Sequence, residues 1–302
     1  MQLDVTESEV RQLLSMQELI PAMERALAAF SAGRVVQPTR LMLPVTDHEG
    51  FLGVMPAYTG SALGVKLVTL YPQNKELPTH HAVVILFRPE TGEPLLSMDG
   101  TYITEARTAA VSAVATHYLA REDASVLALI GAGVQARSHL EALRLVRHFR
   151  EVRVWSPRSA PEFARRHGVT AAASAEEAVR GADVVVTATT SRTPVLRGEW
   201  LSPGTHINAV GAPRPDWREL DDELLRRARI YVDSSEAAMR ESGDVIAAGH
   251  FFAELGEVIT GSKPGRQSRD EITLFKSLGL AVEDVTAAEL VYKKVRGQAA
   301  GG

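Results

Sequence analysis

The residues best placed to do chemistry begin at Val126, where the chain reads Val126-Leu127-Ala128-Leu129-Ile130-Gly131-Ala132-Gly133-Val134-Gln135-Ala136. This is a strand, a glycine turn and a helix start in the pattern G-x-G-x-x-A. Gly131 permits the tight turn, Gly133 lets a pyrophosphate approach the backbone, and Ala136 allows the helix to pack closely on the strand. Phosphates then meet free N–H groups in the first helical turn, around Val134 and Gln135, and the positive end of the helix dipole. The pattern predicts a dinucleotide site, the bland alternative being a tight βα turn. An acid about 20 residues further on would bind the ribose hydroxyls of NAD. The next strand instead ends Trp155-Ser156-Pro157-Arg158-Ser159, with no carboxylate before Glu162. Hydroxyls and a cation suit a 2′-phosphate, so NADPH/NADP is expected ahead of NADH; the alternative is that Arg158 is a solvated loop residue.

A second set of candidates is cationic. Lys66 interrupts Leu63-Gly64-Val65-Lys66-Leu67-Val68-Thr69-Leu70, a strand that otherwise reads as buried. A lone buried ammonium is costly unless paired, either in a structural ion pair or with an anionic substrate group. Arg107 is expected in the first turn of a helix capped by Thr104, where the helix dipole disfavours a cation; its neighbour Glu105 is one available partner. Arg40 opens an apolar strand after Pro38-Thr39. Three converging cations would form a carboxylate clamp with bidentate arginines, but spacing does not show convergence. His80 and His81 are adjacent, so they point to opposite faces of a strand. The nine histidines are scattered, and no metal site is expected. Gly243-Asp244, Glu254 and Glu257 read as solvated turn and helix-surface acids. Neither a nucleophile elbow nor a Walker loop occurs, which leaves hydrolase and phosphoryl-transfer readings without support.

Two kinds of element must position these groups. Ser8–Ala32 has helical apolar spacing and stops at Gly33. Short apolar segments follow at 40–45, 50–56, 64–71, 81–87 and 94–99, separated by turn residues, and read as strands joined by short loops. Residues 104–120 form a helix rich in small side chains. From Val126 strand and helix alternate: strands at 126–130, 151–155, 183–187, 205–210 and 229–233, helices at 134–149 and 160–167, and a capping box from Ser174 to Glu177. Such alternation predicts a doubly wound parallel sheet. Gly261–Asp270 reads as a polar loop. A helical segment after Ala281 closes the chain, ahead of a frayed tail from Gly297 to Gly302.

Composition narrows the class. The 302 residues carry a net charge of -4, which argues against nucleic acid as a partner. The absence of cysteine excludes disulfide scaffolds, thiolate metal sites and a cysteine nucleophile. The polar, acidic stretch Met1–Val10 does not read as a signal peptide, and the longest clean apolar run, Ala82–Phe87, is far short of the ~20 residues that span a bilayer. A cytoplasmic enzyme of two domains, without a membrane partner, is the expectation.

The chain resembles the ornithine cyclodeaminase/μ-crystallin family, and more closely its μ-crystallin (ketimine reductase) branch. The matching segments are 53–58, 66–69, 107–113, 131–136, 207–212, 214–224, 241–244, 252–257 and 275–279, including Gly131-Ala-Gly-Val-Gln-Ala136 and Arg214-Pro-Asp-Trp217. The resemblance implies a Rossmann α/β domain at 120–277 and a second α+β substrate-binding and dimerisation domain built from both chain ends, 1–119 and 278–302. It implies a homodimer. It carries Arg40, Lys66 and Arg107 over as the holders of a substrate carboxylate, with Leu70, Pro213 and Arg214 completing the substrate surface. Thr187, Ala188, Thr189, Val210, Gly211 and Ser277 are expected beside the nicotinamide.

One departure matters. Cyclodeaminases of the family carry Val-Gly-Gly-Asp where this chain has Val210-Gly211-Ala212-Pro213, so the acid that handles the substrate amino group is absent. The implied activity is NADPH-dependent reduction of a cyclic ketimine carboxylate, such as Δ1-piperideine-2-carboxylate or Δ1-pyrroline-2-carboxylate, to a cyclic L-amino acid. His80, Lys66 and Asp216 are candidate proton donors. The alternatives are alanine dehydrogenase or reductive-amination imine reductase, ornithine cyclodeaminase, and a non-catalytic protein that binds NADPH or thyroid hormone.

Overall fold

The computed structural model describes residues 4–300. Met1–Leu3 of the polar N-terminus and Gly301–Gly302 of the expected tail lie outside the described residues. The chain divides into two units, Met1–Arg107 with Gly279–Gly302, and Thr108–Leu278. The division runs through a helix, Thr101–Leu119, whose whole length was expected in the first domain.

The first unit is an antiparallel sheet in the order β1-β2-β3-β4-β5, comprising β1 (Leu41–Val45), β2 (Gly50–Tyr58), β3 (Leu63–Leu70), β4 (His80–Phe87) and β5 (Pro94–Asp99). Short loops join consecutive strands, as hairpin connectivity requires. One face is covered by the C-terminal helix Ala281–Ala300, which crosses β2, β3 and β4 and packs on the helix Met16–Ser31. Gly64 permits that approach, since a β-carbon there would lie 3.1 Å from Val285 Cγ2. The register pairs Met55 with Lys66 and Lys66 with Val84. Directly opposed residues share a face, so Lys66 lies on the covered side with buried Met55 and Val84.

Three expectations need correction here. The continuous helix Ser8–Ala32 is two helices, Glu7–Leu13 and Met16–Ser31. Thr6 and Glu9 form a capping box on the first; Leu14 is extended, and Ser15 is the N-cap of the second. The helix expected at Thr104 starts at Thr101, with the Thr101 amide donating to Asp99 Oδ1 (2.7 Å). The Thr104 hydroxyl donates to the Gly100 carbonyl (2.8 Å), a bond inside the helix rather than a cap, and Arg107 therefore sits in the second turn. The expected tail continues as helix to Ala300.

The second unit is an all-parallel sheet in the order β12-β11-β13-β10-β9-β6-β7-β8. Its strands are β6 (Val126–Ile130), β7 (Glu151–Trp155), β8 (Thr170–Ala171), β9 (Val184–Thr187), β10 (His206–Ala209), β11 (Arg229–Val232), β12 (Ala253–Glu254) and β13 (Thr273–Lys276). β6, β9 and β10 are buried throughout, as strands with helices on both sides must be. This is the doubly wound α/β arrangement expected. The strand β13 escaped the sequence reading, although it lies between β10 and β11. At Ser174 the hydroxyl accepts from the Glu177 amide, but the Glu177 carboxylate accepts from Ala173, so the expected capping box is only half formed. Among the described residues, no helix is long and apolar enough to cross a membrane.

Candidate active site

Within the first unit, the fold brings Arg40, Lys66 and Arg107 to one place. Lys66 Nζ lies 2.6 Å from Asp284 Oδ2. Arg107 reaches Asp284 Oδ1 through Nε (3.0 Å) and Glu283 Oε2 through Nη1 (2.7 Å). Arg40 Nη2 donates to the Gly279 carbonyl (2.8 Å). Gly279 has φ +79, and a β-carbon on it would overlap the Arg107 guanidinium, so one glycine seats both arginines. Lys66, Arg107, Glu283 and Asp284 are buried. Glu105 lies 3.7 Å from Arg11. The two carboxylates at the start of the C-terminal helix were missed from sequence. Their signal was an acidic pair, Glu283-Asp284, opening a helix otherwise rich in Ala and Val.

Burial and charge act together on this cluster. Burial pushes the Lys66 ammonium down to about 8 against the pull of Asp284, with Arg107 and Arg40 adding repulsion. The Asp284 carboxyl is held below its usual range, the two cations outweighing its burial. His80 is pushed down to about 4 by burial first and then by Lys66 and Arg107, so it is a neutral imidazole at pH 7. Leu70 pairs with His80 across β3 and β4, on the Lys66 face.

Within the second unit, Gly131 takes φ +113, and a β-carbon there would overlap the Ala188 carbonyl. Gly133 has open space around its α-carbon and caps the helix Val134–Val146 without a side-chain hydrogen bond. The first amides of that helix, with no side chain capping them, fit a pyrophosphate. Ala136 is buried. The Ser156 and Ser159 hydroxyls are 3.0 Å apart and exposed, with Pro157 and Arg158 between them in the same exposed turn.

At the end of β9, Thr187 and Thr189 are tied to a buried acid, Glu219, against which Gly211 packs. Glu219 accepts from Thr187 Oγ1 (2.8 Å), the Thr189 amide (2.8 Å) and Thr189 Oγ1 (2.6 Å). Burial raises its pKa. Asp244 accepts from the amides of Glu219 and Leu220 (both 3.1 Å) and ion-pairs with Lys276 Nζ (3.0 Å), which also donates to the Gly211 carbonyl. Asp244 and Lys276 are fully buried, so the reading of Asp244 as a solvated turn acid is corrected. Glu254 is also engaged, accepting from the Ser235 amide and hydroxyl. Ser277 is buried, and its amide donates to the Ala209 carbonyl. Asp216 is exposed, 3.9 Å from Arg214, whose guanidinium stacks over Trp217; Pro213 precedes them on the same exposed loop.

The comparison with known proteins decides the lineage. Residues 2–299 match the family model for the ornithine cyclodeaminase/mu-crystallin family. The chain belongs to the ornithine cyclodeaminase/mu-crystallin family. It is 54% identical over 286 residues, 91% of each chain, to the ketimine reductase mu-crystallin of Mus musculus. Among solved structures, it resembles the Thermococcus litoralis Δ1-pyrroline-2-carboxylate reductase in complex with NADH and L-proline, at 43% identity and TM-score 0.93, covering 99% of this chain and 98% of that one. It also resembles an archaeal alanine dehydrogenase dimer with bound NAD, at 42% identity and TM-score 0.93, covering 98% and 96%. The turn Val210-Gly211-Ala212-Pro213 and the cluster around Lys66 are thus features of a family member.

Proposed function

We propose that this chain reduces cyclic ketimine carboxylates to cyclic L-amino acids, using a nicotinamide dinucleotide. The carrying observation is the cluster in the first unit, where three cations meet two carboxylates. In this reading the three cations face a substrate carboxylate. The glycine turn at Gly131–Ala136 supports the cofactor half of the reading, as do relatives named for ketimine and pyrroline-carboxylate reduction.

In this reading Arg40, Lys66 and Arg107 grip the carboxylate of a Δ1-piperideine-2- or Δ1-pyrroline-2-carboxylate. The grip fixes the adjacent imine carbon, and holding reactants in attack geometry is worth up to ~7–11 kcal/mol. When bound, the reduced nicotinamide supplies a hydride to that carbon. The imine nitrogen ends with one proton more than the neutral imine. Of the three candidate donors, Lys66 keeps its proton at neutral pH and releases it near 8. His80 is neutral there. Leu70, Pro213 and Arg214 are the remaining substrate contacts in this reading. Thr187, Ala188, Thr189, Val210, Gly211 and Ser277 would hold the nicotinamide in this reading; Glu219 fixes Thr187 and Thr189, and Lys276 fixes Gly211.

The preferred cofactor is NADPH, because Ser156, Arg158 and Ser159 present hydroxyls and a cation where a ribose-binding acid is missing. The working form is a homodimer joined through the outer face of the first unit's sheet, where Leu41 and Leu43 are 59% and 52% exposed. An apolar strand this open is a liability unless another chain covers it.

The test is nicotinamide absorbance with purified protein, Δ1-piperideine-2-carboxylate and either cofactor. Rapid loss with NADPH is expected. Binding of NADPH without loss, together with ammonia release from L-ornithine, would overturn the reading.

A further inference from the structure

We propose that Asp284 is a positioning residue for the reaction: a resident counter-ion that keeps Lys66 charged for a substrate carboxylate. The inference rests on the reading of Arg40, Lys66 and Arg107 as the carboxylate grip.

Geometry carries it. Asp284 is buried and meets both Lys66, through Oδ2 (2.6 Å), and Arg107, through Oδ1 (3.0 Å). Glu283, its neighbour on the helix, reaches Arg107 (2.7 Å). The groups bearing on the Lys66 ammonium come from four elements. Asp284 lies on the C-terminal helix, Arg107 on the helix Thr101–Leu119, Arg40 just before β1, and His80 on β4. Only Asp284 among them favours the charged amine. His80 is neutral, and both arginines repel it.

The sign follows from that list. Burial already lowers the Lys66 ammonium to about 8 with the carboxylate in place. A neutral amide at 284 removes the opposing pull, so the ammonium loses its proton at lower pH. Without that charge, the grip holds a carboxylate more weakly at neutral pH. At lower pH the lysine is protonated in both proteins, and the variant then has one carboxylate fewer beside the cations. Its affinity for a carboxylate there equals or exceeds that of the parent. A purely structural defect would weaken binding at every pH.

The experiment follows KM and kcat/KM for the ketimine carboxylate between pH 6 and pH 9 in the parent chain, Asp284→Asn, Asp284→Glu and Lys66→Arg. In the parent, kcat/KM falls as pH rises through the region near 8. Asp284→Asn moves that fall down by a unit or more and raises KM at least tenfold at pH 8, with the difference gone or reversed at pH 6. Asp284→Glu restores much of the parent profile. Lys66→Arg, whose guanidinium does not titrate in this range, removes the high-pH fall altogether; this holds the inference to account even where Asp284→Asn does not fold. An Asp284→Asn profile parallel to the parent at every pH overturns the inference, as does a high-pH fall that survives Lys66→Arg. An Arg40→Ala variant with unchanged KM would bring down the grip itself, and a parent chain that neither turns over nor binds the product would bring down both.

Discussion

The Gly211 α-carbon lies against the Glu219 carboxylate, so close that a β-carbon on the glycine would overlap it. The same carboxylate holds Thr187 and Thr189, and the Gly211 carbonyl accepts from Lys276. Gly211→Ala must therefore push two adjoining loops apart. Overpacking of this kind costs ~1–3 kcal/mol. The expected result is a lower melting temperature and at least tenfold weaker cofactor binding by fluorescence titration. A variant with unchanged cofactor affinity would show that Gly211 matters for packing alone.

Lys276 and Asp244 form a buried pair with both partners fully hidden from water. Removing one partner leaves the other charge stranded, at a cost of about 3–5 kcal/mol. Lys276→Met should lower the urea midpoint strongly, and adding Asp244→Leu should recover part of the loss. If the double variant is less stable than Lys276→Met, the stranded charge is not the cause.

Arg40 is half-buried, its Nη2 donating to the Gly279 carbonyl, whereas Lys66 is buried. Truncation there should disturb the fold less than truncation at Lys66. Losing a charge-assisted contact to a bound carboxylate costs roughly 2–5 kcal/mol, so kcat/KM of Arg40→Ala should drop on the order of a hundredfold or more. Steady-state kinetics should find KM raised and kcat lowered together, with the melting temperature within a few degrees of the parent.

The exposed turn Ser156–Ser159 sets cofactor choice in our reading. Arg158→Ala should raise the KM for NADPH about tenfold and leave that for NADH unchanged. Ser156→Asp, which supplies the missing carboxylate for ribose hydroxyls, should move preference toward NADH. Equal effects on the two cofactors would place the 2′-phosphate elsewhere.

Stability should depend on acid through buried histidines. His139 is fully buried and pushed down to about 4 by burial; its Nδ1 donates to the Gln135 carbonyl (2.7 Å), and its Nε2 pairs with the Ser112 hydroxyl (2.9 Å). His206, also buried, is pushed down to about 3. An unfolded imidazole takes its proton near 6.5. The unfolded chain therefore binds more protons below that value, and the native state loses stability as pH falls from about 6.5 toward 4. The loss at His139 approaches ~3 kcal/mol at the acid end. Urea melts at pH 7.5, 6 and 5 should show it, and a flat profile over that range would contradict it.

The parallel sheet was legible because its central strands are short, apolar and separated by helices with clear period. β13 was not, because Lys276 breaks its short apolar run. The reason lies in the partner, since Asp244 is distant in sequence and only the fold brings it to the lysine. The same holds for the candidate grip. Sequence singled out Arg40, Lys66 and Arg107 as cations in unfavourable places, but Glu283 and Asp284 lie far along the chain, and an acidic pair in a first helical turn is also what the helix dipole alone favours. The helix break at Leu14 was hidden because Leu13, Leu14 and Met16 all fit an apolar stripe. Only the extended backbone of Leu14 and Ser15 separates the two helices.

The first unit is made from both ends of the chain, and this imposes an order of events during synthesis. Asp284 is added 177 residues after Arg107. At ~5–20 residues per second, that is roughly 10–35 s during which the newborn chain holds the lysine and the arginines but not their acids. A lysine at the Lys66 position cannot settle into an apolar interior alone. The N-terminal sheet is therefore expected to stay open on that side until the helix Ala281–Ala300 has been made.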